Sequence, residues 1–162
     1  TGTVIDVGGL TNPAKGRTKS WDVPFYDILD IRREYKGRTA TFTRDINKHL
    51  DLPKQYDNVF CLEVMEYIWD PKTAVQNLTW LLKAKGRLFI STHFILPHHS
   101  GGLDCLRYTS DGIQKLLTRT GLTIVSVTPR MSVDDSLPRA LELESKVNYH
   151  RGEIGHLIEA VC

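Results

Sequence analysis

Cysteine is scarce in this chain. Cys61, Cys105 and Cys162 are an odd number with no close spacing, which excludes a disulfide framework and a zinc-finger pattern. They read as reduced thiols of a cytoplasmic protein. No apolar run approaches the length needed to span a bilayer, and no secretory leader is recognisable, so a membrane partner is not expected. Charge of one sign is lacking too. With 21 basic and 19 acidic side chains the formal net charge is +2, and without an added basic or aromatic module nucleic acid is disfavoured as a partner. The turn Gly8-Gly9-Leu10-Thr11-Asn12-Pro13 lacks the spaced glycines of a dinucleotide site and the lysine of a phosphate loop. Repeats, low-complexity tracts and linkers are absent, so residues 1–162 are expected to form a single domain.

What is present is a succession of short apolar strands ending in acids. Thr3-Val4-Ile5-Asp6-Val7 runs into Gly8-Gly9, and Phe25-Tyr26-Asp27-Ile28-Leu29 ends at Asp30. β-Branched residues favour a buried extended backbone, and glycines at a strand's carboxyl end let a ligand approach the main chain. In an open α/β sheet that edge binds ligands. The pair of signals points to a nucleotide-like cofactor, with Asp30 placed to accept from ribose hydroxyls.

Further along, Thr39–Thr43 reads as a third strand leading to Arg44-Asp45, and Asp57–Leu62 as a fourth, nearly continuous in apolar residues. The basic run Arg32, Arg33, Lys36 and Arg38, ahead of the third strand, reads as a solvated face near a sheet edge. Asp70 and Pro71 open a helix carrying Ala74, Val75, Leu78, Leu81 and Leu82, which Gly86 should stop. Arg87–Thr92 reads as a fifth strand, followed by a polar loop from Phe94 to Tyr108. A helix from Thr109 or Ser110 to Gly121 precedes a sixth strand, Leu122–Thr128. Ser136 and Pro138 could open another helix, with Leu137, Ala140, Leu141 and Val147 on one side, before a last strand at His156–Val161. Alternating strands and helices predict a three-layer α/β/α domain with a mostly parallel seven-stranded sheet, its last strand inserted antiparallel.

The order of motifs carries more than any one of them. Asp6 with Gly8-Gly9, then Asp30, then Asp45-Ile46, then Glu63-Val64-Met65-Glu66-Tyr67 after strand four, then Asp70-Pro71 and Lys85-Gly86-Arg87, together resemble the class I S-adenosylmethionine-dependent methyltransferases. The likeness runs from Val4 to about Val127. The later Pro97-His98-His99, Asp104, Arg107-Tyr108-Thr109 and Gly112 resemble a sub-group of small-molecule enzymes. The resemblance implies a Rossmann-like sandwich and S-adenosylmethionine as cofactor.

By the same resemblance, Gly8 and Gly9 would admit the cofactor, with Asp6 holding their turn or the cofactor's ammonium. Asp30 would take the ribose hydroxyls, beside Ile31. Asp45 would meet the adenine amino group, with Ile46 on the ring, and Leu62 and Glu63 would lie under the methionine portion. His98, His93 and Tyr67 are the catalytic candidates, and His99, Arg107 and Tyr108 the substrate contacts. The residue types of His93, His98, His99 and Asp104 suit a divalent ion, but their spacing matches no metal motif and no metal is expected.

The implied partner is a small or carbohydrate-type methyl acceptor, with homo-oligomerisation or a partner subunit as further options. Three departures stand out: the sparse glycine turn, Tyr67 where the family often has histidine, and the lack of the usual helix before strand one. They leave open a catalytically reduced, methyltransferase-like binding or partner subunit. A nicotinamide-dependent oxidoreductase shares Asp30 and the sheet but not the glycine pattern.

Overall fold

A computed structural model describes residues 2–15, 23–95, 98, 102–129 and 155–162. Its centre is a seven-stranded sheet. The strands are β1 (Thr3–Val7), β2 (Phe25–Asp30), β5 (Phe42–Thr43), β6 (Tyr56–Leu62), β7 (Leu82–His93), β8 (Thr123–Pro129) and β9 (Gly155–Val161), with β3 (Glu34–Tyr35) and β4 (Arg38–Thr39) forming a separate hairpin. Their order is β5-β2-β1-β6-β7-β9-β8. All neighbours are parallel except β9, which runs antiparallel to both β7 and β8. The expected mostly parallel sheet with an inverted last strand is therefore observed.

β1, β6 and β7 supply the centre of the core with Ile5, Val7, Val59, Cys61, Leu88 and Ile90, all buried. Ala74, Val75 and Leu78 of α1 (Pro71–Trp80) and Ile113 and Leu117 of α2 (Ser110–Thr118) close over them. α1 begins where the sequence signals it: the Asp70 carboxylate accepts from the Thr73 N–H at 3.1 Å, and Pro71 follows, satisfying one of the helix's orphan donors. Asn77 on α1 is buried, donates to the Ile46 and Lys48 carbonyls at 2.8 and 2.7 Å, and accepts from Leu50 N–H at 3.2 Å. A single amide side chain thus fixes the segment between β5 and β6 against the helix.

Two boundaries differ from expectation. The third strand is only Phe42–Thr43, because Thr39 belongs to the hairpin. Lys36 and Gly37 both have positive φ, 47° and 76°, the geometry of a tight two-residue hairpin turn, and this spends the preceding residues on a local pairing. α1 ends at Trp80, well before Gly86, because Leu82 already pairs with Tyr56. β7 then bulges: Tyr56 faces Leu82 while Asn58 faces Arg87. The residues read as the end of a helix turn inside that bulge, where Lys85 takes a φ of 64°. The helix expected from Ser136 lies outside the described residues.

Candidate functional site

The strand order reverses at β1, whose neighbours are β2 on one side and β6 on the other. Such a switch point opens a crevice at the carboxyl ends of the strands. Register brings five ends to that edge. Val7 pairs with Leu29 and with Cys61, Asp30 with Thr43, and Leu62 with Ser91. Asp45, Asp30, Gly8, Glu63 and His93 therefore end or follow β5, β2, β1, β6 and β7 along one line, about 19 Å at the usual strand spacing.

The glycine bend is held from below by Asp6, which is buried. Its Oδ2 accepts the Ala14 N–H at 2.6 Å and the Tyr26 hydroxyl. Burial first, and then the Asp6 charge, raises the Tyr26 hydroxyl pKa above its ordinary value, so it stays a donor. Gly8 has a φ of 77° and donates to the Leu29 carbonyl at 2.8 Å. A Cβ at Gly9 would fall 2.3 Å from the Asp6 carboxylate. The close approach of Asp6 requires the glycine at position 9, while Gly8 is required by its positive φ and by the Val64 side chain that a Cβ there would meet.

Asp30 is buried, and its Oδ1 accepts the Arg32 N–H at 3.0 Å. Ile31 beside it is 67% exposed. Asp45 Oδ1 takes the Asn47 N–H at 3.0 Å and its Nδ2 at 2.9 Å, so this acid also closes a local turn. Ile46 lies in the apolar core, at the crevice's margin only through its backbone neighbours.

At the other end, Glu63 takes a left-handed φ of 58°, a conformation that costs a non-glycine residue of order 1 kcal/mol. It swings the carboxylate toward β7: Oε1 accepts from Ser91 Oγ at 2.6 Å, and Oε2 lies 2.7 Å from His93 Nε2. Glu66, in the single helical turn Met65–Tyr67, is 1% exposed. Its Oε1 lies 2.6 Å from the His93 N–H and 3.1 Å from His93 Nδ1. The imidazole thus bridges two carboxylates, a grouping able to move a proton or to hold a cation. Only His93 and Glu63 of this trio stand among the expected site residues. Glu66 is legible from its place one turn after Glu63.

The chain from 102 onward is strapped to this cluster. Cys105 N–H and Leu106 N–H both donate to the Glu66 carbonyl at 2.7 and 3.2 Å, and Tyr108 N–H donates to the His93 carbonyl at 3.3 Å. Arg107 pairs with the Asp104 carboxylate, Nη2 to Oδ2 at 2.7 Å, and that bond raises its pKa above the usual value. Tyr67 is half-buried, and burial first, then Glu66, Asp104 and Glu63, raises its hydroxyl pKa. Tyr108 is buried and shifted the same way, mainly by burial. His98 is exposed and lines a hollow of about 310 Å³ with Asp104, Cys105, Leu106 and Arg107. A larger hollow of about 480 Å³, lined by Asn47, His49, Thr73, Gln76, Asn77 and Trp80, contains none of the strand-end residues. His99 lies outside the described residues.

This is the fold of the class I S-adenosylmethionine-dependent methyltransferases. The chain superposes on an S-adenosylmethionine-dependent methyltransferase from Mesorhizobium loti with a TM-score of 0.67, at 15% identity over 99% of this chain and 91% of that one. It also superposes on the 1,6-didemethyltoxoflavin-N1-methyltransferase of Burkholderia thailandensis, solved with 1,6-didemethyltoxoflavin and S-adenosylhomocysteine, with a TM-score of 0.65 at 15% identity over 99% and 70%. In sequence it is similar to the ubiquinone biosynthesis O-methyltransferase of Proteus mirabilis, 30% identical over 55% of this chain and 41% of that protein. The chain thus spans less than half the length of that relative. No family model matches it. Among the described residues no helix is long and apolar enough to cross a membrane.

Proposed function

We propose that this chain is the cofactor-binding core of an S-adenosylmethionine-dependent methyltransferase acting on a small-molecule or carbohydrate-type hydroxyl. The observation that carries the reading is the convergence of the Gly8-Gly9 bend, the buried Asp30 and the left-handed Glu63 on one sheet edge at the reversal of strand order. The Proteus relative's name supports an oxygen acceptor, and the Burkholderia enzyme's bound S-adenosylhomocysteine supports the donor.

In this reading the bend, braced by Asp6, admits the methionine end of the donor, and Leu62 and Glu63 border its sulfonium. Asp30 accepts from the ribose hydroxyls, a task suited to a carboxylate with two acceptor oxygens. The exposed Ile31 packs on adenine, with Asp45 and the Ile46 backbone at its margin. His93, Tyr67 and His98 face the acceptor, and Arg107 and Tyr108 shape its side of the cleft. The donor, when bound, would supply a methyl group to an acceptor oxygen in line with its sulfur, which would keep the electron pair of the broken S–C bond, while the acceptor's proton would pass to the His93 and carboxylate cluster. Such a displacement is catalysed chiefly by alignment.

Calorimetry with S-adenosylhomocysteine and with NADH tests the reading. Saturable binding of the first, weakened at least about tenfold in Asp30→Ala, is expected, because bonds to a charged acceptor contribute about 1.5–3 kcal/mol. Binding of NADH alone would favour the oxidoreductase, and binding without methyl transfer to any catechol or sugar would favour a non-catalytic partner subunit.

A further inference from the structure

We infer that the hollow between α1 and the segment following Ile46 is a binding site for a neutral sugar ring, separate from the methyl-donor cleft. It measures about 480 Å³ and is lined by Asn47, His49, Thr73, Gln76, Asn77 and Trp80, a volume within the usual range for small ligands. None of the strand-end acids borders it, so a ring held here is not the group that receives a methyl. The inference stands whether or not the cleft transfers methyl groups.

Three observations carry it. The first is the chemistry of the lining: three primary amides, an imidazole, a hydroxyl and an indole, with no carboxylate, ammonium or guanidinium. A charged ligand would lose its hydration there without gaining a counter-charge, and a purely apolar one would leave amides unpaired. Each amide both donates and accepts, and so does every hydroxyl of a sugar.

The second is the placement of the indole. Trp80 is 40% exposed at the C-terminal end of α1. Thr73, Gln76, Asn77 and Trp80 lie at i, i+3, i+4 and i+7, along one helix face about 10 Å long. The Gln76 and Asn77 amides therefore stand one turn from the indole. An aromatic face with polar groups beside it suits a ligand that is apolar on one side and polar at its rim. A pyranose is such a ligand, with C–H groups on its ring face and hydroxyls around its edge.

Third, both walls are fixed without a ligand. Asn77, 5% exposed, ties α1 to the Ile46 and Lys48 carbonyls and to the Leu50 N–H. Asn47 accepts the Trp69 and Asp70 N–H groups, both at 3.0 Å, and donates to Asp45 Oδ1 at 2.9 Å. That bond uses one of its two amide hydrogens and leaves the other for a ligand. Gln76 and His49 are exposed and free to adapt. Walls ordered in advance remove a cost from binding.

The test titrates the isotope-labelled full chain, by nuclear magnetic resonance, with the methyl glycosides of glucose, galactose, mannose and N-acetylglucosamine. Cyclohexanol, a ring of the same size with a single hydroxyl, is the control. Saturable binding of at least one sugar is expected, shifting the Trp80 indole N–H and the Gln76 side-chain amide signals. Trp80→Ala should weaken it at least about tenfold, as loss of an aromatic stacking face does. Gln76→Ala, an exposed substitution, should also weaken it, and circular dichroism identifies which variants fold. Failure of all four sugars to saturate would overturn the site. So would equal affinity for cyclohexanol, shifts confined to His98 and Arg107, or unchanged affinity in both folded variants. Calorimetry with S-adenosylhomocysteine on the same samples separates the two readings, and Trp80→Ala should bind it as the wild type does. Sugar bound without it sinks the methyl-donor reading and leaves the hollow standing; the reverse sinks the hollow alone.

Discussion

One oxygen of Glu66 holds His93 twice, by its backbone N–H at 2.6 Å and by its ring Nδ1 at 3.1 Å. The acid comes from the turn after β6 and the histidine from the end of β7, so the contact locks two adjacent strand ends and sets the imidazole's orientation together. Removing the acid leaves a main-chain donor without its partner.

Glu66→Ala should therefore lower stability by about 1–3 kcal/mol, the usual penalty for a buried group losing its partner. Glu66→Gln, which keeps an acceptor oxygen, should lose less. Urea denaturation of the two variants measures the difference, and equal losses would mean that an amide oxygen does not replace the carboxylate as acceptor of the His93 N–H.

Gly9→Ala should damage the bend and the cleft together. The added methyl would sit 2.3 Å from the Asp6 carboxylate, which must swing away from the Ala14 N–H and the Tyr26 hydroxyl. A loss of about 1–3 kcal/mol follows from the strained packing. Thermal melts should fall by about 2–4 °C per kcal/mol, and S-adenosylhomocysteine affinity should fall with them. An unchanged melt would refute the brace.

The acid limb of stability should depend on Asp57. Its carboxylate accepts the Thr3 N–H at 2.7 Å and the Thr3 hydroxyl at 2.8 Å, and meets Lys83 Nζ at 2.9 Å. The backbone bond from Thr3, then Lys83, holds its pKa well below the ordinary carboxylate range. Between that depressed value and about pH 4 the unfolded chain binds more protons, so stability rises with pH there. The contribution is complete above about pH 4 and is lost as pH falls toward the folded value. Asp57→Asn should flatten that part of the melting-temperature profile, by a small amount because the side chain is 40% exposed.

Gly37→Val should weaken the β3–β4 hairpin without touching the cleft. Its φ of 76° is a region that β-branched residues avoid, while nothing lies within 4 Å of where a Cβ would stand. A loss of about 1 kcal/mol or more with unaltered cofactor affinity is expected. A large loss of affinity would mean that the hairpin belongs to the site.

Apolar strand runs, the Asp70-Pro71 helix start and acids at strand ends were legible in the sequence because they are local: each is decided by backbone preference and burial within a few residues. The sheet and the places of Asp6, Asp30 and Glu63 follow from them. Three features depend on partners distant in the chain. Leu82 leaves the helix because Tyr56 offers it a strand to pair with. Asp6 braces the glycine bend through Tyr26, 20 residues on, and Glu66 meets His93 27 residues away. Sequence proximity carries no information about such contacts. They exist only because parallel pairing lays β1, β2, β6 and β7 side by side, and it was this register, not the spacing of the acids, that decided which of them share a site.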